Sequence, residues 1–381
     1  MSGSNNLKVF SSPERYVQGR NATHQLGNEM KKLAMKGPVV VVTTATPKKL
    51  LGEAWTTSLK DAGYEHTELL FGGTCTAAEA QRIADHAVTQ NAKTLVAFGG
   101  GQIIDAVRAA VGLVGDGSVC EFVSCPTVAS TDAPCSALCV MYHEDHSFHE
   151  YRFMCRHPTL VLVDTTAVAK SPVRMLVGGL GDALATYYEA RTVHEAHADN
   201  FLGGKQTETA IALSKLCCDI LLEDGPAAVE SLYCQAVTPA LERVVEANTL
   251  LSGLGFESGG LCVAHSVHNG LTSQKETATY THGQKVAFGI LTQLILEGRP
   301  REELDTVLEF NHKVGLPLVL SGLGVDVSSE KAVCEIAERS LAPGESAHNE
   351  PFEVTVDMMV DAIRAADQAG AKFLKEKEVS K

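Results

Sequence analysis

The 381-residue sequence contains no apolar run near the roughly 18 residues that a membrane-spanning helix requires; its apolar stretches are short ones such as Val39–Val42 and Leu160–Val163. A bilayer-spanning role is therefore not expected. A basic patch is also missing. The balance of 32 Lys+Arg against 46 Asp+Glu gives a formal charge of −14, which argues against nucleic acid as a partner. The 11 cysteines include no C-x-x-C pair: Cys217 and Cys218 are adjacent, Cys135 and Cys139 are too far apart, and the number is odd. Such spacing reads as reduced, buried thiols rather than a disulfide framework or zinc knuckle. The opening MSGSNNLKVFSS has neither the charged-then-apolar plan of a secretory leader nor an Arg-rich amphipathic pattern, so a cytoplasmic location is expected. The sequon Asn21–Thr23 then reads as a chance match. The chain shows no internal repeat, no low-complexity segment and no G-x-G-x-x-G fingerprint.

What is present is the composition of a globular protein, 45% hydrophobic and 20% charged, long enough for two or three domains. Its first part alternates. Apolar, β-branched runs at Val39–Thr44, Thr67–Phe71, Thr94–Phe98, Glu121–Cys125 and Thr159–Asp164 are strand-like. Helix-like segments separate them, one opened by Thr46-Pro47 and one by the capping pair Thr76 and Glu79. The polar turn HEDHS joins Ala137–Tyr142 to Tyr151–Cys155 as a hairpin. This alternation predicts a parallel sheet covered on both faces. After Ser171-Pro172 the pattern becomes helical: Asp182–Ala196, Glu208–Glu223, Ala240–Leu254, Cys262–Thr272, Gln284–Leu296 and Arg301–Val314. The expected organisation is an α/β domain over 1–168 followed by an all-α domain over 169–381.

Three stretches carry chemistry-bearing residues. In TLVAFGGGQIIDAVRAA a strand runs into Gly99, Gly100 and Gly101 and leaves as a helix, a junction where bare backbone N–H groups and the helix dipole suit a phosphate. A ligand-free tight turn is the alternative. PTVASTDAPCSAL places Thr127, Ser130, Thr131, Asp132 and Ser136 just after a strand, where open α/β sheets bind ligands; a polar loop with an Asx turn is the plainer reading. Asp182, the pair His265 and His268 on one helix, and His282 could supply two imidazoles and a carboxylate to zinc or iron. Each of them alone also fits a helix cap or a satisfied polar residue.

The segments FGGGQIIDAVRA, PTVASTDAPCSAL, GGLGDALATYYEA, VTPALERVVEANTLLSGLGFESGGL, AHSVHNG, THGQKVAFG and GESAHNEP resemble the glycerol dehydrogenase branch of the iron-containing, or group III, alcohol dehydrogenase superfamily. The resemblance implies a dehydroquinate synthase-like fold: a nucleotide-binding α/β domain with a Rossmann-like parallel sheet, then a helical metal- and substrate-binding domain. It implies Asp182, His265 and His282 as metal ligands, zinc rather than iron, with His268 a neighbour. It implies Asp132 as a contact to substrate hydroxyls and Phe256 as an apolar pocket wall. Dinucleotide contacts carry over to Gly99, Gly100, Gly101, Gln102 and Ile103, to Thr127, Val128, Ala129 and Ser130, and to Ser136, Leu138 and Tyr142. The implied reaction is metal-dependent oxidation of glycerol or a related small diol to its ketone, with hydride passing to NAD. A homo-oligomer, often an octamer, is also implied.

Three positions depart from the family pattern. Neutral Gln102 stands where a lysine is usual, with Arg108 in place of the later lysine. Thr44, at the end of the first strand, replaces an acidic residue, so the repulsion that would exclude a 2′-phosphate is absent and NADP becomes admissible. Lys48 and Lys49 nearby read as solvated lysines. A dehydroquinate-synthase-like lyase or a glycerol-1-phosphate dehydrogenase would need basic residues that the candidate pocket motifs lack. A non-catalytic nucleotide-binding oligomer would be favoured by a missing ligand, and all three are present.

Overall fold

The structure, a computed structural model, describes residues 6–114, 121–145 and 147–379. By chain contacts it divides into an α/β unit, Ser12–Pro172 with Ser231–Gly253, and a helical unit formed by the remaining described residues.

The α/β unit runs β1 (Arg15–Gly19), α1 (Leu26–Lys32), β2 (Val39–Thr43), α2 (Ala45–Asp61), β3 (His66–Leu70), α3 (Ala77–Thr89), β4 (Thr94–Gly99), α4 (Gly101–Leu113), β5 (Glu121–Pro126), the hairpin β6 (Leu138–Tyr142) and β7 (Phe148–Phe153), β8 (Leu160–Asp164) and α5 (Thr165–Ala169). Six strands pair in parallel in the order β1-β8-β5-β4-β2-β3. Strands β2, β4 and β8 are buried along their whole length, as expected of a sheet covered on both faces. The period of two divides them: Val40, Val42, Leu95 and Ala97 pack with Ile83 of α3 and Ile104 of α4, whereas Val39, Val41, Val96 and Phe98 pack with Leu26 of α1 and Trp55 of α2. Edge strand β1, RYVQG, carries too few apolar residues to stand out as a strand in the sequence, and all five are half-buried.

Helix α2 begins earlier than Thr46-Pro47 suggests, with Thr44 as its N-cap. Pro47 remains within the first turn, where its missing N–H costs no intrahelical bond. In α3 the expected cap is present: Thr76 accepts from the Glu79 N–H at 3.1 Å, while the Glu79 carboxylate accepts from the Gly72 N–H at 2.8 Å.

A buried ion pair fixes the hairpin to α4. Arg108 Nη1 donates to Asp105 Oδ1 at 2.6 Å and to the Leu138 carbonyl at 2.5 Å, and Nη2 donates to the Ala133 carbonyl. Asp105 Oδ2 accepts from the Val140 N–H at 3.1 Å. Burial is the main reason that the Asp105 carboxyl is pushed up to about 6, against the pull of Arg108 and the Val140 N–H.

The helices beyond are α6 (Val173–Glu195), α7 (Glu208–Tyr233), α8 (Pro239–Glu246), α9 (Ser252–Gly259), α10 (Val263–Leu271), α11 (His282–Leu296), α12 (Arg301–Val314), α13 (Glu330–Ser340) and α14 (Val356–Val379). A π-turn at Ala247–Leu251 links α8 to α9. Among the described residues no cysteine forms a disulfide, and most are buried. No described helix is long and apolar enough to cross a membrane.

Candidate active site

In the helical unit, α6 and α11 touch backbone to backbone. A methyl group at Gly283 would lie far inside van der Waals contact distance of the Gly178 carbonyl oxygen, and one at Gly181 would do the same to the Gly283 carbonyl oxygen. This approach brings Asp182 of α6 beside His282, the first residue of α11. The stretch Thr281–Gln284 holds that end: Thr281 N–H donates to Gln284 Oε1 at 2.9 Å, and Thr281 Oγ1 accepts from the Gln284 N–H at 3.4 Å. It is a capping box, and it starts the helix ahead of the expected Gln284. On α10, His265 faces the same point. Ligand atoms of Asp182, His265 and His282 all lie within 4.8 Å of one another.

The distances to the carboxylate are 3.0 Å from His282 Nε2 and 3.4 Å from His265 Nε2, both to Asp182 Oδ1. That oxygen is buried and, among the described residues, makes no aligned hydrogen bond, the arrangement expected where lone pairs converge on a cation instead of on a proton. The far nitrogens are engaged. His265 Nδ1 lies 2.5 Å from Glu189 Oε2. The other oxygen of Glu189 accepts from the Cys262 and His265 N–H groups, both at 2.9 Å. His282 Nδ1 lies 2.9 Å from His268 Nε2, and His268 Nδ1 lies 3.0 Å from Asn269 Oδ1. A carboxylate partner such as Glu189 fixes the tautomer of a metal-binding histidine.

Electrostatics agree with the geometry. Burial would lower His265, yet Glu189 and Asp182 outweigh it and hold its pKa well above the usual value. Burial would raise Asp182, yet His282 and His265 outweigh it and hold it below the carboxylate range. Burial, with His282, Lys285 and His265 around it, keeps His268 well below the ordinary imidazole value. The two buried carboxylates, Asp182 and Glu189, therefore make this centre attract positive charge, and the residues present fit a divalent metal. Phe256 of α9 is buried, its ring edge-on to Phe201 at 6.1 Å.

In the α/β unit, β2, β4 and β5 are neighbours, so Thr44, the glycines and Thr127 gather at their adjoining carboxyl ends. Thr127 N–H donates to the Gly99 carbonyl at 3.0 Å. Gly99 is required by the protein itself, since a side chain would collide with Ile103. Gly100 and Gly101 are not: among the described residues, a Cβ at Gly100 would meet Val128 at 3.6 Å, and one at Gly101 would meet Thr131 at 3.4 Å and Ala133 at 3.9 Å. Their bare backbone leads into α4, whose N-terminus no side chain caps. This is a cradle that a side chain would fill, and it fits a pyrophosphate.

Gln102 is exposed, and its Oε1 accepts from the Cys75 N–H at 3.2 Å. Ile103 and Ala129 are buried. Val128, Ser130 and Leu138 are half-buried. Ser136 is turned into its own loop, accepting from the Leu138 N–H at 3.3 Å. Tyr142 closes the hairpin strand β6, and its N–H donates to the Cys75 carbonyl at 2.9 Å. Lys48 is ion-paired with Glu68 at 2.6 Å. Asp132 Oδ2 accepts from Ser252 Oγ at 2.8 Å.

The sequence profile of iron-containing alcohol dehydrogenases matches residues 13–165. A glycerol dehydrogenase of Escherichia coli is 43% identical over 97% of this chain and all of its own length. A glycolaldehyde reductase of Halobacterium salinarum is 41% identical, over 96% of this chain and 98% of its own. The crystal structure of a glycerol dehydrogenase from Schizosaccharomyces pombe superposes with a TM-score of 0.93 at 32% identity, covering 98% of this chain and 94% of that one. The chain belongs to the iron-containing alcohol dehydrogenase family, and it is an oxidoreductase of that family's polyol dehydrogenase class.

Proposed function

We propose that the enzyme oxidises glycerol reversibly to dihydroxyacetone, with NAD as the hydride acceptor and zinc held by Asp182, His265 and His282. The observation that carries this reading is the convergence of three ligand atoms within 4.8 Å, with the far nitrogen of each histidine already engaged. A bound divalent metal supplies Lewis acidity that lowers the pKa of a substrate hydroxyl. Asp182 brings negative charge to the centre, and Glu189 and His268 keep the two imidazoles turned inward. The backbone of Gly100 and Gly101, with the uncapped start of α4, receives the pyrophosphate of the dinucleotide. Asp132, held by Ser252, accepts hydrogen bonds from substrate hydroxyls. Phe256 supplies an apolar wall.

Steady-state rates with NAD and NADP across glycerol, 1,2-propanediol, dihydroxyacetone and glycolaldehyde, together with metal analysis, test the assignment. Glycerol and dihydroxyacetone are expected to be interconverted with NAD only when metal is bound. Metal-independent turnover, or activity confined to glycolaldehyde, would overturn it.

Asp132→Ala is expected to lower glycerol turnover by about tenfold or more, the range lost when a reactant is imperfectly positioned, with little change in NAD affinity measured by fluorescence titration. An equal loss of NAD affinity would make Asp132 a structural turn residue.

NAD is expected to be the better cofactor, with measurable NADP activity, because Thr44 carries no repelling charge and Lys48 is already paired with Glu68. Thr44→Asp is expected to suppress the NADP rate and to leave the NAD rate similar or improved. An unchanged cofactor ratio would show that this threonine does not face the adenosine ribose.

A further inference from the structure

The segment GESAHNEP has no part in the reaction proposed above, yet it wraps the start of α10. Ser346 Oγ donates to the Cys262 carbonyl at 2.6 Å, Ala347 N–H donates to Ser266 Oγ at 2.7 Å, and Asn349 Nδ2 donates to the Leu261 carbonyl at 2.9 Å. Glu345 opens this strap. Its side chain is 9% exposed and receives Arg339 at Oε1. Its Oε2 accepts from Asn269 Nδ2 at 2.8 Å.

We infer that Glu345 is a positioning residue for the metal centre: through Asn269 and His268 it sets which nitrogen of His282 carries the proton. The inference rests on the metal site proposed above. A carboxylate can only accept, so Asn269 turns its NH₂ toward Glu345 and its Oδ1 toward His268. That oxygen only accepts, so His268 Nδ1, at 3.0 Å, is the N–H of its ring. The neutral ring then has an acceptor at Nε2, and His282 Nδ1, at 2.9 Å, is the donor. His282 Nε2 is left with a lone pair, 3.0 Å from Asp182 Oδ1. Each of these links has one direction, and it begins at the carboxylate of Glu345, which accepts from Asn269. A purely structural strap would hold α10 in place without regard to that direction.

The isosteric variant Glu345→Gln separates the two roles. Arg339 retains the single remaining carbonyl oxygen, so the new NH₂ faces Asn269. Asn269 then turns over and presents its own NH₂ to His268. The ring protons redistribute: His268 donates from Nε2, His282 accepts at Nδ1, and His282 Nε2 becomes an N–H that cannot ligate. Zinc affinity of the apoprotein, measured by competition with a chromophoric chelator, is expected to fall about tenfold or more, the usual cost of losing an outer partner. The visible spectrum of the cobalt-substituted protein should change with it.

Adding Asn269→Asp to Glu345→Gln places a carboxylate between two donors, which restores the original direction and should recover most of the affinity. Arg339→Met removes the ion pair and leaves Glu345 an acceptor, so it should leave zinc affinity unchanged. Parent-like affinity and cobalt spectrum in Glu345→Gln, or a loss that the double variant does not recover, would overturn the inference. An unmodified protein that takes up neither zinc nor cobalt would sink the metal site itself, and the inference with it.

Discussion

His282→Ala is expected to strip the centre of its metal and to lower glycerol turnover by about three powers of ten or more, since Lewis-acid stabilisation is worth several kcal/mol. The open three-ligand geometry cannot be kept by one imidazole and one carboxylate. The fold should survive. The His282 side chain is 36% exposed, and the start of α11 is held by Thr281 and Gln284, whose hydrogen bonds do not involve the ring. Metal content after dialysis against chelator, read beside the thermal unfolding curve, separates loss of the site from loss of the fold. Stoichiometric metal with near-normal turnover would show that His282 is no ligand. His268→Ala should retain metal with weakened affinity, because its ring reaches the centre only through His282.

Gly283→Ala is expected to have the largest effect on the fold. The added methyl meets the carbonyl of Gly178, and this contact is backbone against backbone, so no side-chain rotation relieves it. Overpacking of a close-packed interior costs about 1–3 kcal/mol and occasionally more, and the helices can escape only by separating. Separation draws Asp182 away from His282, so zinc affinity should fall together with the melting temperature. Gly52→Ala provides the contrast: its Cβ would sit in ordinary contact, 3.7 Å from Lys48 and Trp55, and it removes a glycine from a helix interior. That variant should melt at or above the parent temperature. A Gly283→Ala protein with parent-like melting and zinc affinity would show that the α6–α11 approach is looser than described.

Where burial is complete, the sequence pattern and the structure agree closely. Strands β2, β4 and β8 are continuous apolar runs because both faces of the sheet are covered. Helix α12 has the expected bounds because its apolar periodicity ends at Gly315, which takes a left-handed conformation with φ of 82°. Elements governed by tertiary pairing were harder to read. Strand β1 is defined by its parallel pairing with β8 rather than by its composition. The expected helix Ala240–Leu254 is two helices joined by a π-turn, which no local signal announces. At the proposed metal centre, helical spacing singles out the pair His265 and His268, and the ligand set rests on the family resemblance. Glu189 lies two turns beyond Asp182 on one helix face, a signal present in the sequence. Glu345, in contrast, meets Asn269 across 76 residues, and only the folded chain brings them together.

The α/β unit is built from two separate lengths of chain, and this constrains how its gene can be cut. The later length, Ser231–Gly253, is fastened to the earlier one throughout. Glu242 accepts from Gln18 at 2.7 Å and from Thr165 at 2.7 Å, Asn248 Nδ2 donates to the Ala129 carbonyl at 3.0 Å, and Ser252 holds Asp132. A fragment ending at Pro172 would therefore encode an incomplete unit, with buried donors and acceptors stripped of partners. Chimeras that exchange only the first coding segment between relatives would pair an Asp132 loop from one parent with a Ser252 from the other. Cofactor preference is safest to transplant as two cassettes, the second carrying residues 231–253, so that both halves of the platform share one ancestry.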